Sequence, residues 1–434
     1  MDQRSVGAAA ESPALVRQRL KSIFGGSVGN LIEWYDFYVY NSFALYFAKQ
    51  FSGSNDPTAQ FLNVFGIYAV AFFIRPVGGI LLGNYADTRG RRAALTLSVM
   101  LMCAGSFMVA VLPTYQQVGV AAPLLLLLAR LIQGLSLGGE YAASATYLSE
   151  IAVSKHRGFY SSFQYVTLIG GQVLAAAVLL VMQQLLTAAQ LESWGWRIPF
   201  LIGAACAVYG LYLRRNLVES EAFQRASKAR TRSPLQEVFD HPRELLLVFG
   251  LTAGGTAAFY TFSTYMPTFL ANTVKFPREQ ANLLSFITLF CFAAMQPVLG
   301  AISDRVGRKP VLLWFGIMGT LCTYWIMTSM AGTRDFGTIL LLLLFALLIV
   351  SGYTSINAVV KAELFPASVR ALGVGLPYAL AASIFGGTAP YVALWFKGDG
   401  HESWFFIYVS VLILCSLVVY ATMRDTKKDT RMEA

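Results

Sequence analysis

Two carboxylates stand in an aromatic-rich stretch, Gly29–Tyr40, whose sequence is GNLIEWYDFYVY. If the stretch is helical, Glu33 and Asp36 share one polar face with Asn30 and Tyr40, since each residue turns the helix by about 100°. In a segment that crosses a membrane, a charged group costs on the order of 3 kcal/mol, so it usually faces a bundle interior or a water-filled path. The two acids therefore mark a candidate proton-coupling site, with a structural ion pair between helices as the alternative.

Arg75 and Arg130 are the only basic residues that fall inside the apolar segments of the chain, away from the segment ends. At 1.5 Å per residue, each lies roughly 15 to 18 Å from the outer end of its segment, and Asp36 reaches a similar depth. A guanidinium group presents a planar fork of donors that matches a carboxylate. Two such forks predict a site for a dicarboxylate, and the lack of a third Arg or Lys at mid-membrane disfavours a tricarboxylate.

The expected partner of Asp36 is Arg130. An ionised Asp36 would neutralise this arginine, whereas a protonated Asp36 would leave Arg130 free to bind an anionic substrate. This exchange is a physical route for coupling proton movement to anion movement. Glu33 lies one turn nearer the cytoplasm, has Arg75 as its expected neighbour, and is open to a purely structural interpretation.

Neutral polar side chains are expected around the same layer. Gln133 lies on the face of the fourth segment that also holds Arg130 and Glu140, Gln164 lies in the fifth segment, and Tyr260 lies in the seventh. We treat Gln133, Gln164 and Tyr260 as candidate substrate contacts, with core packing or interfacial anchoring as the alternative for each. Further polar candidates are Gln172, Tyr265, Gln296, Tyr353 and Asn357.

The composition indicates a protein that crosses the membrane many times. Of the 434 residues, 56% are hydrophobic and 13% are charged, and the charged fraction of a soluble protein is about 25%. A spanning helix needs about 20 mainly apolar residues, and twelve segments meet this condition. The predicted fold class is an all-α membrane protein with twelve transmembrane helices. The predicted spans are 24–48, 60–85, 93–112, 120–147, 159–186, 197–215, 244–270, 280–303, 311–330, 337–360, 369–393 and 403–423.

The distribution of charge predicts the orientation of the chain. With a cytoplasmic N-terminus, 25 of the 33 Lys and Arg residues lie on the cytoplasmic side, as the positive-inside rule requires. Both termini are expected there, and the net charge of +10 indicates topology and contact with the lipid bilayer, not nucleic acid. Residues 1–20 lack the apolar core of a cleavable signal peptide. The scattered cysteines and histidines predict no disulfide, metal site or cofactor.

The chain contains an internal repeat. The pattern G-x-x-x-D-x-x-G-R-[RK] occurs at 83–92 and at 300–309, and an acid seven residues before an arginine occurs at 150–157 and at 363–370. The offsets are 217 and 213 residues, so a unit of six spans is duplicated. The expected segments are the N-terminal segment 1–23, the halves 24–215 and 244–423, the cytoplasmic linker 216–243 and the cytoplasmic tail 424–434.

Acid and arginine pairs in these motifs are candidate latches of a cytoplasmic gate. Each pair can form charge-assisted hydrogen bonds between helix ends, and the bonds would break when the halves rock apart. In the alternative interpretation, the basic residues only set topology and bind lipid. The candidate pairs are Asp87 with Arg91, Asp304 with Arg308, Glu150 with Arg157, and Glu363 with Arg370.

Several of these stretches resemble one known family. Besides GNLIEWYDFYVY and the loop motif at 83–92, LLLARLIQGLSLGGEYAASATYLSE, WGWRIPF and KAELFPASVRALGVG are similar to the metabolite:proton symporters of the major facilitator superfamily. The resemblance covers the whole chain. It implies the major facilitator fold in the bacterial inner membrane, a chain that functions as a monomer, and Asp36 with Arg130 as a coupling pair.

The resemblance also implies proton-coupled import of α-ketoglutarate or a similar dicarboxylate by alternating access, with the substrate bound near mid-membrane between the halves. Members of this family transport citrate, shikimate or betaine-type solutes, so a tricarboxylate or another small organic acid is the alternative substrate.

Two other classes of protein are disfavoured. A membrane sensor of organic acids would need a soluble signalling domain, and an enzyme would need a nucleophile with its base, or a metal constellation, at one depth. Neither pattern occurs in the sequence. Because no G-x-x-x-x-G-K-[ST] motif occurs, an ion gradient is the expected energy source.

Overall fold

The computed structural model describes residues 13–55, 57–214, 219, 223–224 and 232–432. Within these ranges the chain is almost entirely helical and contains no strand. The twelve long helices are α1 (Pro13–Phe47), α2 (Pro57–Phe73 and Arg75–Arg89), α3 (Arg91–Val111), α4 (Ala121–Ile151), α5 (Phe163–Leu185), α6 (Ile198–Arg214), α7 (Pro242–Phe259, Tyr260–Tyr265 and Met266–Asn272), α8 (Arg278–Val306), α9 (Arg308–Ala331), α10 (Phe336–Thr354 and Asn357–Glu363), α11 (Arg370–Ala381, Ala382–Gly386 and Ala389–Gly398) and α12 (Glu402–Thr422).

Short helical segments connect several of the long helices. They are Ala48–Phe51, Tyr115–Val118, Ser154–His156, Arg157–Ser161, Ala188–Ser193, Gly195–Arg197, Pro234–Glu237 and Val238–Asp240.

The predicted all-α fold with twelve spans is confirmed. Ten helices in the described part are long and apolar enough to cross a membrane, and α1 and the 17-residue α6 complete the set. Helix α1 begins at Pro13 rather than at residue 24, because a proline fits the first helical turn and no glycine or proline interrupts the next ten residues. The rest of the predicted segment 1–23, much of the linker 216–243 and the last two residues of the tail 424–434 lie outside the described residues.

The two loop motifs of the internal repeat share the same backbone conformation. Gly90 separates α2 from α3 with φ 107°, and Gly307 separates α8 from α9 with φ 104°. A residue with a Cβ atom rarely adopts such angles, so each turn requires glycine. The same turn therefore joins the second and third helices of each half.

The two halves, α1–α6 and α7–α12, meet along two helix pairs. Helix α2 packs against α11, and α5 packs against α8. A Cβ atom added to Gly79 of α2 would stand 3.3 Å from the Gly375 carbonyl oxygen of α11, and one added to Gly375 would clash with the Cβ atom of Ala142 on α4, which also packs against α11. Small residues thus allow the halves to close on each other.

Four helices lose regular α-helical geometry near the middle of the bundle. Helix α2 is interrupted at Ile74 and α10 at 355–356, while α7 and α11 contain the π-helical segments Tyr260–Tyr265 and Ala382–Gly386. Such irregular turns are frequent at functional sites. They lie at the depth of the polar layer described next.

Candidate functional site

Arg75 lies between the halves in an aromatic cage. Its guanidinium carbon is 3.9 Å from the ring centre of Phe72 and 4.4 Å from that of Phe37. The Nη1 atom donates to the Tyr260 hydroxyl at 3.4 Å, which joins α2 to α7. Arg75 is 3% exposed, and among the described residues its Nε and Nη2 groups find no hydrogen-bond partner. Two donors of a buried cation are therefore available to a ligand.

Arg130 has a similar environment within the N-terminal half. It is 0% exposed, its guanidinium carbon lies 4.1 Å from the Tyr40 ring centre, and its Nη1 donates to Gln133 at 2.7 Å. Its Nε and Nη2 groups likewise lack a partner in the described part of the chain. The layer thus holds two buried guanidinium groups with unused donors.

Asp36 contacts Arg130 only through Gln133. The Gln133 amide accepts from Arg130 and donates through Nε2 to an Asp36 carboxylate oxygen. The predicted partners therefore form no direct ion pair in this conformation, because Gln133, one turn after Arg130 on α4, lies between the two groups. The other oxygen of Asp36 has no hydrogen-bond partner among the described residues and lies beside Gly203 and Ser106. This carboxylate oxygen of Asp36 is therefore able to bind a proton.

Glu33 has a different neighbour from the predicted Arg75. The Ser98 hydroxyl on α3 lies 3.1 Å from a Glu33 oxygen and 2.6 Å from a Glu140 oxygen. Within the described part of the chain Arg75 forms no ion pair, because its guanidinium group is turned toward aromatic rings and Tyr260. Glu33 therefore belongs to a polar cluster on the side of Asp36 that holds the loop motifs. We call this side cytoplasmic and the opposite side outer, as the positive-inside rule predicts.

Gln164 holds three helices together. Its side-chain oxygen accepts from Ser144 at 2.6 Å, and its Nε2 donates to Asn30 at 3.3 Å. Asn30 also donates to the Gln164 backbone carbonyl at 3.0 Å. Because both ends of the Gln164 amide have partners on α1 and α4, this arrangement favours positioning of α5 over direct contact with a ligand.

Sequence reasoning missed Lys361, which joins Arg75 and Arg130 as a buried basic residue without an ion pair in the described part of the chain. It lies in the second part of α10, is 0% exposed, and donates from Nζ to Tyr141 and Asn357, both at 3.1 Å. We expected no third Arg or Lys at mid-membrane; Lys361 lies just beyond the predicted tenth span, which stopped at residue 360, and its side chain extends inward to Tyr353. The four-residue spacing of Tyr353, Asn357 and Lys361 on one helix face was the signal that could have found it.

On the cytoplasmic side, the acid of the first loop motif bridges the two halves. Arg91 donates to Asp87 at 2.6 Å, as the motif predicts. Asp87 also accepts from the backbone N–H groups of Leu372 at 2.9 Å and Ala371 at 3.3 Å. These N–H groups belong to the first turn of α11, which has no intrahelical acceptor for them. Asp87 therefore caps a helix of the other half.

The second loop motif repeats this arrangement with the halves exchanged. Arg308 donates to Asp304 at 2.8 Å. Asp304 accepts from the backbone N–H groups of Gly158 at 2.8 Å and Phe159 at 2.9 Å, in the first turn of the helix that precedes α5. The two motif acids thus connect the halves by equivalent contacts.

The second layer of charges also crosses between the halves. Glu150 accepts from Arg370 of the other half at 2.8 Å and from Arg91 at 3.2 Å. Glu363 lies 3.5 Å from Arg308 and interacts electrostatically with Arg157 of the other half. The predicted pair of Glu363 with Arg370 is absent among the described residues, because Arg370 turns toward Glu150 across the interface.

Segments that follow each half also contact these candidate gate residues. Glu219 accepts from the backbone N–H of Arg91 at 3.0 Å, and Asp425 accepts from that of Arg308 at 3.1 Å. Each acid caps the first turn of a helix, α3 or α9, that begins with a gate arginine. The predicted tail 424–434 is therefore packed against the gate over its described part.

On the outer side of Arg75, a proline in α2 creates an acceptor for the other half. Pro76 has no N–H group to donate to the Phe72 carbonyl four residues earlier. The Ser383 hydroxyl of α11 donates to this carbonyl at 2.6 Å. The contact joins α2 to the π-helical segment of α11.

A proline in α7 creates the reciprocal contact. Pro267 leaves the Ser263 carbonyl without its usual helical donor, and the Gln172 side chain of α5 donates to this carbonyl at 3.4 Å. Together with the Ser383 contact, this bond joins the halves on the outer side. Contacts between the halves therefore exist on both sides of the arginine layer, as in an occluded carrier.

An Asp87→Asn variant is expected to open the cytoplasmic side. The change removes the charge that holds Arg91 and two N–H groups of α11, and breaking a buried ion pair costs about 3 kcal/mol or more. We expect the Ala371 and Leu372 amides to exchange hydrogen at least about 10-fold faster in a mass-spectrometric measurement. Asp399→Asn, at an exposed acid of the outer side, is the control, and unchanged exchange in the Asp87 variant would contradict the gate.

Twelve helices form two repeated halves, and buried contacts of charged residues connect one half to the other. This is the architecture of a carrier of the major facilitator type. Residues 23–244 match the family "Sugar (and other) transporter", and residues 249–433 match the "Major Facilitator Superfamily". The chain belongs to the major facilitator superfamily of membrane transporters.

Within the superfamily, the chain is 47% identical to the α-ketoglutarate permease of Escherichia coli (strain K12) over 416 residues, which cover 96% of each chain. It is 31% identical to a citrate-proton symporter of Klebsiella pneumoniae, with 92% of this chain and 90% of that one covered. The structure of the proton:xylose symporter XylE matches the fold with a TM-score of 0.80 at 20% identity, covering 96% of this chain and 98% of that one.

Proposed function

We propose that this transporter imports α-ketoglutarate, or a dicarboxylate of similar size, together with protons. The observation that supports this proposal most directly is the pair of buried guanidinium groups, Arg75 and Arg130, whose Nε and Nη2 donors have no partner among the described residues. Unpaired buried cations are costly, and a dianionic substrate would neutralise both. The 47% identity to an α-ketoglutarate permease supports the same substrate class.

Proton coupling follows from the connection between Asp36 and Arg130. Ionised Asp36 holds the Gln133 amide, which in turn holds Arg130. Protonation removes the negative charge from this connection, so Arg130 can turn toward a substrate carboxylate. On the cytoplasmic side, release of the substrate restores the attraction and favours loss of the proton. Arg130 would thereby act in both substrate binding and coupling, and Tyr260 would orient Arg75.

A citrate or other tricarboxylate symporter is the second candidate. The specific observation in its favour is Lys361, which, like Arg75 and Arg130, is buried without an ion pair among the described residues and could neutralise a third carboxylate. The identity to a citrate-proton symporter is lower, at 31%. We therefore place the dicarboxylate first.

The proposal includes the setting in which transport occurs. The excess of Lys and Arg on one side of the membrane supports cytoplasmic termini, and the permease relative supports a bacterial inner membrane. The halves 24–215 and 244–423 would rock against each other around the arginine layer, with the linker 216–243 in the cytoplasm. Because one chain supplies both halves of the site, a monomer in contact with lipid suffices.

Counterflow in proteoliposomes tests the substrate. Vesicles preloaded with unlabelled α-ketoglutarate are expected to take up labelled α-ketoglutarate transiently, without an imposed gradient. Malate, citrate, shikimate and betaine are added as competitors in separate reactions. Unlabelled α-ketoglutarate, added outside the vesicles, is the reference competitor. Stronger competition by citrate than by this reference would favour a tricarboxylate as the substrate, and the absence of counterflow would contradict the proposal.

A further inference from the structure

Lys361 lies in a cage of neutral groups below the arginine layer. Its Nζ atom donates to the Tyr141 hydroxyl and the Asn357 oxygen at 3.1 Å, and to the Tyr353 hydroxyl at 3.4 Å. The same atom lies 4.2 Å from the ring centre of Tyr378. Three oxygens and an aromatic face thus surround the ammonium group.

The cage contains no counterion for Lys361 in the part of the chain that the structure describes. Ion pairs there involve other residues, and the three oxygens that face Nζ are neutral. Burying a charge is costly unless an opposite charge compensates it, and hydrogen bonds with an aromatic face compensate only in part. A carboxylate delivered by the substrate would complete the site.

The cage spans the interface between the halves. Tyr141 belongs to α4, whereas Lys361 and Asn357 belong to α10 and Tyr378 to α11. The Tyr141 and Tyr378 rings stack with centres 3.4 Å apart, and the Tyr141 hydroxyl also donates to Asn357 at 2.5 Å. When the halves separate on the cytoplasmic side, Tyr141 must leave Lys361, which then loses one of its three oxygen partners.

A row of tyrosines connects this cage to the arginine layer. Tyr378 interacts electrostatically with Tyr260 and with Arg75, and Tyr260 accepts the hydrogen bond from Arg75. Lys361 itself lies two residues before the gate acid Glu363. The cage therefore lies between the arginine layer and the candidate gate, so an anion that leaves Arg75 toward this gate would pass close to Lys361.

We propose that Lys361 binds the distal carboxylate of the substrate, the one farther from the keto group, once the cytoplasmic gate opens. When the carrier is open to the cytoplasm, Lys361 thereby determines its preference for substrates that have a second carboxylate. This proposal rests on the proposed import of a dicarboxylate. Arg75 and Arg130 bind the anion in the occluded state, and Lys361 receives one end of it as Tyr141 moves away. The N-terminal half thus contributes two arginines, and the C-terminal half one lysine, to binding of the substrate carboxylates.

The test compares α-ketoglutarate with 2-oxopentanoate, which has a methyl group where α-ketoglutarate has its distal carboxylate. Competition is measured separately in inside-out and right-side-out membrane vesicles. In inside-out vesicles, Lys361→Met is expected to reduce the preference for α-ketoglutarate over 2-oxopentanoate by about 10- to 100-fold, the loss of one charge-assisted contact. In right-side-out vesicles the preference should remain, because the arginines determine it there.

Three further variants make the result decisive. Lys49→Met, at an exposed outer lysine, should leave both preferences unchanged, and Lys361→Arg should retain most of the preference because it keeps the charge. Lys361→Gln replaces the methionine variant if the latter does not reach the membrane. An equal loss of affinity for both compounds, or an unchanged preference, would overturn the role of Lys361. Failure of the unaltered protein to transport α-ketoglutarate would instead overturn the proposed function.

Discussion

An Asp36→Asn carrier is expected to exchange α-ketoglutarate across the membrane but to lose its accumulation against a gradient. Asparagine can still accept the hydrogen bond from Gln133, so the connection to Arg130 remains, but the side chain no longer binds and releases a proton. Each coupled proton contributes about 1.4 kcal/mol per pH unit, which is about a tenfold concentration ratio. At a pH gradient of one unit, we expect the variant's proton-driven accumulation ratio to fall about tenfold per coupled proton.

The measurement is uptake in proteoliposomes with and without an imposed pH gradient, beside counterflow in the same preparation. Counterflow shows that the variant is folded and binds substrate, so the two assays separate coupling from binding. Asp399→Asn, at an exposed acid on the outer side, should accumulate substrate like the unaltered protein. Full gradient-driven accumulation by the Asp36 variant would show that another group binds the coupled proton.

An Arg75→Met variant is expected to lose substrate affinity without loss of stability. Two N–H groups of Arg75 have no partner among the described residues, and its aromatic cage suits the flexible methionine side chain. Loss of a charge-assisted contact of about 3 kcal/mol corresponds to about 100-fold weaker binding. Removing a buried cation without a counterion relieves its desolvation cost, so the free energy of unfolding should stay equal or rise.

Thermal unfolding in detergent, with and without α-ketoglutarate, reports both quantities for this variant. The Tm without ligand should equal or exceed that of the unaltered protein, while the shift caused by ligand should disappear at concentrations that saturate the unaltered protein. Arg334→Met, at an exposed arginine of an outer loop, is the matched control. A lower Tm together with a normal ligand shift would assign Arg75 to structure instead of binding.

The fold could be predicted from sequence because membrane spans have a simple requirement. Twelve apolar segments and two repeated motifs were sufficient to define the helices and the two halves. The repeat also identified the candidate gate residues and the pairs within each loop motif, but it could not identify their partners in the other half. Equivalent residues recur in each half, yet only the packed interface decides that Glu150 reaches Arg370 of the other half.

The polar layer was predicted less completely, because side-chain direction and length are not evident from hydropathy. Gln133 lies between Asp36 and Arg130, although all three were placed correctly at one depth. Lys361 begins near the end of its helix and extends inward to Tyr353, so a window based on apolar residues excluded it. The aromatic cage of Arg75 depends on rotamers, which periodicity does not determine.

The two proline-dependent contacts on the outer side affect whether the substrate-free carrier faces outward or inward. Ser383 and Gln172 donate to backbone carbonyls, so these bonds are neutral and contribute about 0.5 to 1.5 kcal/mol each, whereas the charged contacts of the cytoplasmic gate contribute about 1.5 to 3 kcal/mol each. Water can replace a neutral donor at either carbonyl as soon as the outer side separates. Gradients set the direction of net transport. The difference in contact strength, however, makes opening on the outer side cost less free energy than opening on the cytoplasmic side. A substrate-free carrier is therefore expected to populate the outward-facing state, which binds external substrate.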